Sequence, residues 1–525
     1  MKQINIFAIF ITVVFFSSCT VLKDGSYSLN VLSTNDVHGQ LFDKAFNGMR
    51  NPKGSLFAAY TSIKNVRDTS ETILIDAGNA LSDGAANFYY NYVNLTEPHL
   101  YPNIAGYMGY DVFIPGTDDR DDGLFSDKVK KEFRKNGVKV LEKDDFIIIK
   151  KGGLRVAVLG SINALKAASK KHPDAVIAKA DAKSSIEDLN GIDLLLVADD
   201  HRKVAEKRGD TYVLDAGSYA KNIGIGYMNI EVHGGKIISK KWEVSCPSID
   251  IEDADAGIKD FFESEYSRIN DFVKEPVGEL RMRLNSRDAY KGASEYMNFY
   301  HTLALSQEGV DISMAAPLAV DGIIEPEEIN YSNLSKLYPF ANKLLVVRMS
   351  GKEIKAYLEA SYDAWIKTMN SGEEHIFRLK ESKDYRTNKL KSNFEKSPAH
   401  FDSAGGLIYT VDVTKPLGER INISSFADGG EFVSEKEYNV GITSYRSVGA
   451  GGLLAAAGIR PDKLGERIVL KYPEFKTLLY NYVKKEGEIS PAKINDVKVV
   501  GTWRFIPEQI ATEAIERDLG LMFDK

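Results

Sequence analysis

The chain has 525 residues, of which 43% are hydrophobic and 27% charged, a composition typical of soluble globular proteins and unlike disordered or multi-spanning ones. Its net charge is −7 and no basic tract stands out, which argues against binding of a nucleic-acid polymer. Small anionic ligands remain open, because they need only local positive charge. The length predicts two or three domains, each with its own core.

The first residues have the pattern of a targeting signal. Lys2 supplies a charged start, Ile4–Phe16 an apolar stretch, and Ser17-Ser18-Cys19 a small-residue end. A cysteine at this point resembles a bacterial lipoprotein signal, so we expect residues 1–18 to be removed and Cys19 to carry the lipid. The alternatives are an uncleaved anchor or a plain secretory signal. The expected location is the bacterial cell envelope, lipid-anchored, on a periplasmic or surface-exposed face.

Strands alternate with helices over residues 27–245, which predicts an α/β or α/β-sandwich domain. Helices are predicted over 54–68 and within 87–114. Most of the strands end in polar, glycine-containing loops. The predicted strands are Ser28–Leu32, Ile73–Ile75, Asp111–Ile114, Val138–Val140, Leu154–Leu159, Ile192–Val197 and Val213–Leu214.

The remaining chain predicts a second domain. Residues 250–276 contain an amphipathic helix that we interpret as a connector, and residues 277–506 form a mixed α/β domain. The polar segment 368–400 is predicted to be a loop or insertion, and residues 507–525 a last helix or tail. Helices are predicted at 293–307 and 351–367, and strands at 344–349, 407–413, 438–443 and 498–504.

The loop that follows the first strand carries Asp36 and His38, one residue apart. In an α/β sheet, such a loop at the carboxyl end of a strand is where ligands and metals bind. Asp with His suits a divalent transition metal used for hydrolysis. The pair by itself is a weak signal, because hydrogen bonds that stabilise the loop are a common alternative.

Several motifs, in a common order, resemble the bacterial 5′-nucleotidases and 2′,3′-cyclic-nucleotide phosphodiesterases over nearly all of residues 28–506. The resemblance implies a metallophosphoesterase-type β-sandwich flanked by helices, a connector helix and a nucleotide-binding second domain. The motifs are Thr34-Asn35-Asp36-Val37-His38-Gly39, Tyr107-Met108-Gly109-Tyr110-Asp111, Ala216-Gly217-Ser218-Tyr219, Ile312-Ser313-Met314-Ala315-Ala316-Pro317, Tyr338-Pro339-Phe340-Ala341-Asn342, residues 409–420, and Ser444-Tyr445-Arg446 with Gly449–Gly452.

Members of this family hold two divalent ions with ligands from five loops, and this chain departs from that pattern. The first loop is intact as Asp36 and His38. The second, normally Gly-Asp with a bridging carboxylate, has Asn79. The third, normally Gly-Asn-His-Glu or Gly-Asn-His-Asp, has Thr117 and Asp118.

The last two loops depart further. The fourth should place a histidine where Asp200 stands. His201 comes one step late, and in an extended segment it would face the other way. The fifth, normally Gly-His-x-His, has no counterpart in 202–214. The resemblance therefore implies a largely dismantled two-metal site and no confident catalytic residue.

A replacement oxygen-rich site is the alternative for the acidic side chains of these loops. Asp118 and Asp200 could join Asp36 and His38 to hold one divalent metal, namely Mg, Mn, Ca or Zn. Otherwise Asp118 belongs to a solvated acidic loop.

For the second domain, the resemblance implies a nucleotide base stacked between aromatic rings. Phe401 and Tyr445 stand at the expected positions, with Asp402 and Arg446 beside them. Stacking contributes about 1–3 kcal/mol per base, and an arginine offers fork-like contacts to phosphate or hydroxyl groups. The alternative for both rings is core packing.

Three functions follow. The favoured hypothesis is a lipid-anchored envelope protein that binds a nucleotide or nucleoside, without two-metal hydrolysis or with hydrolysis severely impaired. The first alternative is an active metal-dependent phosphoesterase that uses a rebuilt, carboxylate-rich site. The second is a surface scaffold for an unidentified protein partner. Fold does not carry function when the site has changed.

Overall fold

The structure is a computed structural model that describes residues 22–121, 123–181, 189–383 and 390–523. The predicted signal peptide and Cys19 lie outside these residues. Within the described residues, every helix falls short of the length and apolarity needed to cross a membrane. The chain divides into a first unit, Met1–Ala45 with Asn51–Ile269, and a second unit, Phe46–Arg50 with Asn270–Lys525.

The first unit is built on two six-stranded sheets. Their strands are β1 (Gly25–Thr34), β2 (Thr72–Asp76), β3 (Val112–Phe113), β4 (Lys139–Val140), β5 (Phe146–Lys151), β6 (Leu154–Leu159), β7 (Ala175–Asp181), β8 (Leu194–Ala198), β9 (Lys203–Arg208), β10 (Thr211–Ala216), β11 (Gly224–His233) and β12 (Lys236–Ser245). The strand orders are β12-β11-β1-β2-β3-β4 and β5-β6-β7-β8-β10-β9. Strands β1–β4 run parallel to one another in the first sheet. In the second sheet the parallel strands are β6, β7, β8 and β10.

The core of this unit lies between the two sheets. Alternate residues of the first sheet, such as Val31 and Ile75, share one buried cluster with alternate residues of the second, such as Val158 and Ile177. The predicted β-sandwich and mixed α/β class are therefore confirmed. Flanking helices are α1 (Leu56–Arg67), α2 (Gly84–Phe88), α3 (Leu100–Met108), α4 (Thr117–Asp121), α5 (Asp127–Lys135), α6 (Leu165–Ser169), α7 (Ala256–Phe261) and α8 (Glu263–Phe272).

The expected connector over 250–276 is two helices, α7 and α8, and not one. Phe262, between them, packs on Phe57 and Tyr107 of the first unit, with ring centroids 5.8 and 5.6 Å apart. Phe262 is therefore part of the core of the first unit, whereas Phe261 beside it is exposed.

The second unit contains a five-stranded sheet, β21-β15-β24-β18-β25, two three-stranded sheets and two two-stranded sheets. Its strands are β13 (Pro276–Leu280), β14 (Leu284–Asn285), β15 (Ile312–Ala315), β16 (Ile323–Ile324), β17 (Glu327–Asn330), β18 (Lys343–Ser350), β19 (Leu379–Lys383), β20 (Leu390–Phe394), β21 (Ser403–Gly405), β22 (Leu407–Asp412), β23 (Ile421–Phe426), β24 (Glu437–Thr443), β25 (Ile468–Glu474), β26 (Glu488–Ile489) and β27 (Gly501–Ile506). Its helices are α9 (Glu295–Leu305), α10 (Leu334–Leu337), α11 (Gly351–Asp363), α12 (Ser444–Ser447), α13 (Leu453–Ala456), α14 (Phe475–Glu486), α15 (Pro491–Ile494), α16 (Val497–Val500) and α17 (Glu508–Phe523).

The polar segment 368–400 is more than the loop that its composition predicts. It contains the antiparallel strand pair β19–β20, and its apolar side chains Met369, Ile376, Phe377 and Phe394 are buried in the main core of the second unit. Trp365 stacks on Phe377 with centroids 5.7 Å apart. A small number of well-placed aromatic residues thus anchors an otherwise charged segment.

Candidate functional site

The candidate site of the first unit forms where the parallel strands end. Loops leave β1, β2 and β8 at their carboxyl ends, which is the ligand edge of an α/β sheet. Six non-glycine residues of these loops have φ in the left-handed region: Asp36 (50°), His38 (46°), Asn79 (58°), Asp83 (57°), Asp199 (70°) and His201 (54°). Such conformations are uncommon and cluster at functional sites.

Asp36, His38 and His201 have side chains that converge. Their ligand-type atoms all lie within 4.8 Å of one another. The two Nε2 atoms of the histidines are 3.2 Å apart, and His38 Nε2 is 3.8 Å from Asp36 Oδ1. Asp36 and His38 are buried, whereas His201 is exposed, so the group is reached from one side.

The far side of the His38 ring is held by the loop that follows β2. Its Nδ1 lies 3.1 Å from Ser82 Oγ and 3.0 Å from Asp83 Oδ2. A carboxylate on one ring nitrogen fixes the ring and leaves the other nitrogen for a metal. Burial disfavours a charged His38, but the carboxylates of Asp83, Asp36 and Asp118 raise its pKa to about 8.

These three side chains fit a single zinc-like ion. Ligand atoms about 2.0–2.2 Å from a tetrahedral ion lie roughly 3.3–3.6 Å apart, close to the 3.2 and 3.8 Å that separate His38 Nε2 from His201 and Asp36. Three protein ligands with one open position are typical of catalytic zinc sites, and the set of two imidazoles and one carboxylate suits such a metal.

The side-chain amide of Asn79 lies between two carboxylates of the site. Its amide nitrogen donates to Asp36 Oδ1 at 2.7 Å and to Asp199 Oδ1, while its carbonyl oxygen accepts from Asp118 N at 2.9 Å. The amide hydrogens therefore stand between two carboxylates, where a dinuclear centre would need a bridging anion between two cations. Asn79 is fully buried, so this arrangement is fixed by packing.

The third loop reinforces this hydrogen-bonded arrangement. Thr117 Oγ1 donates to Asp199 Oδ2 at 2.6 Å. Asp119 is buried and accepts backbone N–H groups of Asn79, Leu81 and Gly116 at 2.7–2.9 Å, although burial raises its pKa. Asp118 is held by its backbone on Asn79, and its charge acts on His38.

Two sequence expectations about the fourth loop are wrong. Asp200 does not join the site, because its carboxylate is bound by the Arg202 guanidinium. His201 does not face away, because the segment is not extended: Asp199 and His201 both have positive φ, so strand alternation does not apply. Sequence reasoning also missed Asp199 and Asp83, whose roles depend on this backbone geometry.

Of the four residues predicted to bind a nucleotide in the second unit, three are buried and one is exposed. Phe401 is buried in the core and stacks on Trp365, with centroids 5.2 Å apart. Asp402 and Arg446 are both buried and bind each other through two nitrogen–oxygen contacts, so neither is presented to a ligand. Tyr445 alone is exposed, at 40%.

The comparisons with known proteins agree with this fold. Residues 273–458 match the family model described as the 5′-nucleotidase C-terminal domain. A trifunctional nucleotide phosphoesterase of Bacillus subtilis is 22% identical over 53% of this chain and 20% of its own length. A 2′,3′-cyclic-nucleotide 2′-phosphodiesterase/3′-nucleotidase of Haemophilus influenzae is 23% identical over 56% of this chain and 47% of its own length. The matches thus span less than half of these relatives.

Two solved structures resemble the whole chain. A Staphylococcus aureus protein assigned as a 5′-nucleotidase, in complex with alpha-ketoglutarate, has a TM-score of 0.56 at 17% identity and covers 91% of this chain and 99% of its own. The NAD nucleotidase of Haemophilus influenzae has a TM-score of 0.56 at 15% identity, with the same coverages. At such identities the likeness shows the fold.

The fold is that of the two-domain 5′-nucleotidases, with a metallophosphoesterase-type sandwich in the first unit. Residues 273–458 of the second unit match the 5′-nucleotidase C-terminal domain, and the resemblance to the 5′-nucleotidases and cyclic-nucleotide phosphodiesterases is confirmed.

Proposed function

We propose that this protein binds a small nucleotide or nucleoside at the cell envelope and does not catalyse two-metal hydrolysis. The observation that carries the proposal is the amide of Asn79 between the carboxylates of Asp36 and Asp199. Two adjacent cations need a negatively charged group between them, and a neutral hydrogen-bond donor at this position cannot supply that charge. Thr117 and Asp118 stand where the family places an amide ligand and a catalytic histidine.

The class of ligand is supported by the relatives and by one exposed ring. The relatives are named as nucleotide phosphoesterases, and residues 273–458 match a nucleotidase domain. Tyr445 presents an exposed aromatic face, 5.4 Å from the Arg446 guanidinium. Base stacking on such a ring contributes about 1–3 kcal/mol and needs no hydrogen-bond readout.

The envelope location is supported by the N-terminal sequence. Residues 1–18 have the order of a signal peptide, and Cys19 stands at the lipidation position. The test is incorporation of labelled palmitate in cells, which we expect for the wild type and not for Cys19→Ser. Equal labelling of both would contradict the proposed anchor.

The absence of two-metal hydrolysis is tested with the purified mature chain. AMP, UDP-glucose and 2′,3′-cyclic AMP are offered with Mn²⁺, Mg²⁺ or Zn²⁺ while phosphate release and bound metal are measured. We expect at most one metal ion to bind per chain, and we expect no hydrolysis that depends on a second bound metal ion. Two bound metals together with turnover that Asp36→Ala abolishes would refute the proposal. Calorimetry with adenosine and AMP tests binding, and no heat from either would favour a protein scaffold.

The geometry favours one second candidate, a phosphoesterase that uses a single metal. Asp36, His38 and His201 would hold the ion, which when bound supplies Lewis acidity and an activated water. His38 is already oriented by Asp83 for this role. One bound metal together with turnover that is lost in His201→Ala and kept in Asp200→Ala would establish this candidate over the first.

A further inference from the structure

A buried lysine lies at the end of β7, outside the Asp36 site. Lys179 is 2% exposed and lies on the strand face that also points Ile177 into the sandwich core. An ammonium group has three N–H donors. Among the described residues, Lys179 Nζ contacts Asp181 Oδ1 and, at 3.5 Å, the carbonyl oxygen of Pro115. Of its three N–H donors, two thus have an acceptor within the part of the chain that the structure describes.

The charge around Lys179 is not balanced. Arg120 Nη2 also contacts the Asp181 carboxylate, at 3.4 Å, so two cations share one anion. Arg120 competes with Lys179 for the Pro115 carbonyl as well. A buried charge without full compensation is costly, which favours an anion beside this cluster.

A cavity of about 170 Å³ opens next to the cluster. It is lined by Lys179, Asp181, Lys143, Ser161 and Asn163, among others. Ser161 follows β6, which runs parallel to β7, so the cavity lies past the carboxyl ends of two adjacent parallel strands, a common ligand position. Because one water takes about 30 Å³, the volume holds a small oxyanion with a few waters.

We propose that this cavity binds a phosphate group, either inorganic phosphate or the phosphate of a small ester, with Lys179 as the central cation. Two cations, Lys179 and Arg120, contact one carboxylate, Asp181, and a third cation, Lys143, lines the cavity. This excess matches a phosphate group, which carries about −1.5 to −2 charges at pH 7. The amide of Asn163, 3.5 Å from Asp144, supplies a further polar group at the rim. The site is independent of the metal and nucleotide proposals.

The test is titration of the full mature chain with inorganic phosphate at constant ionic strength, followed by calorimetry and thermal unfolding. We expect phosphate to bind and to raise the unfolding temperature. Lys179→Met should weaken binding at least tenfold, and Asp181→Asn should tighten it severalfold because a competing carboxylate is removed. Lys170→Met, at an exposed lysine that ends α6, is the matched control and should leave binding unchanged.

The outcomes separate this site from others. The proposal is overturned if a folded Lys179→Met chain binds phosphate like the wild type, or if Asp181→Asn has no effect. It is also overturned if acetate binds as tightly as phosphate, since the site would then not select the dianion. A folded His38→Ala variant should keep phosphate binding, and its loss would place the anion at the Asp36 loop instead. Competition between glycerol phosphate and inorganic phosphate would show that the cavity also accepts the phosphate of a small ester.

Discussion

Replacing Asn79 by aspartate tests the central feature of the candidate site. In the wild type its amide nitrogen donates to Asp36 at 2.7 Å and to Asp199. Asn79→Asp removes both donors and brings a third carboxyl group against two carboxylates in a fully buried position. Without a cation, the folded state loses two attractive contacts and gains repulsion.

The expected magnitude follows from these contacts. Hydrogen bonds to charged groups contribute about 1.5–3 kcal/mol each, so the loss of two destabilises the first unit by roughly 3–6 kcal/mol. At about 2–4 °C per kcal/mol for a unit of this size, the lower bound corresponds to a fall of roughly 6–12 °C in its unfolding temperature. A divalent cation should turn this destabilisation into stabilisation of the variant, because three carboxylates and two histidines would then surround the ion.

The assay is calorimetric unfolding of wild type and variant in EDTA and in Mn²⁺ or Zn²⁺. Asn87→Asp is the matched control: Asn87 is equally buried, but its amide donates to the carbonyl oxygens of Ala80 and Ser82. We expect both variants to be destabilised in EDTA and only Asn79→Asp to be rescued by metal. An Asn79→Asp chain that is stable in EDTA and insensitive to metal would refute the reasoning.

Three further predictions concern the other sites. His201→Ala should lower zinc affinity at least tenfold in competition with a chelating dye, whereas Asp200→Ala should not, and equal effects would contradict the assignment. Phe401→Ala should destabilise the second unit by about 3–5 kcal/mol in denaturant titrations, whereas Tyr445→Ala should leave stability unchanged and weaken AMP binding. Burial lowers the pKa of His301 to about 4, so the unfolded chain binds more protons between pH 6.5 and 4. The stability of the second unit should therefore fall by about 3 kcal/mol on acidification over this range, and His301→Gln should remove most of that slope.

Much of the fold could be read from the sequence. The central parallel strands are short apolar runs, and the predicted strand Leu154–Leu159 has the same bounds in the structure. The strands that were missed include β9 and β12, which lie at sheet edges and carry lysine and glutamate on their exposed faces. An edge strand needs only one apolar face, so its pattern is weak.

The candidate site was only partly predictable. Asp36, His38 and Asn79 were identified because they lie in short motifs, where local order along the chain fixes their neighbours. Asp200 and His201 were assigned the wrong way round, because a strand-like alternation was assumed for residues with left-handed backbone. Of the two roles that the sequence allows for Phe401, base stacking and core packing, the structure shows core packing against Trp365.

The sequence by itself predicted the fold of this protein and showed where its loops differ from the ligand pattern of the family it resembles, because both depend on residue type at positions fixed by local pattern. Only the tertiary structure decided what replaced those ligands. The convergence of Asp36, His38 and His201, and the place of the Asn79 amide, join residues more than 40 positions apart. Contacts of this kind depend on how strands from two sheets end at a common edge, which no short stretch of sequence encodes.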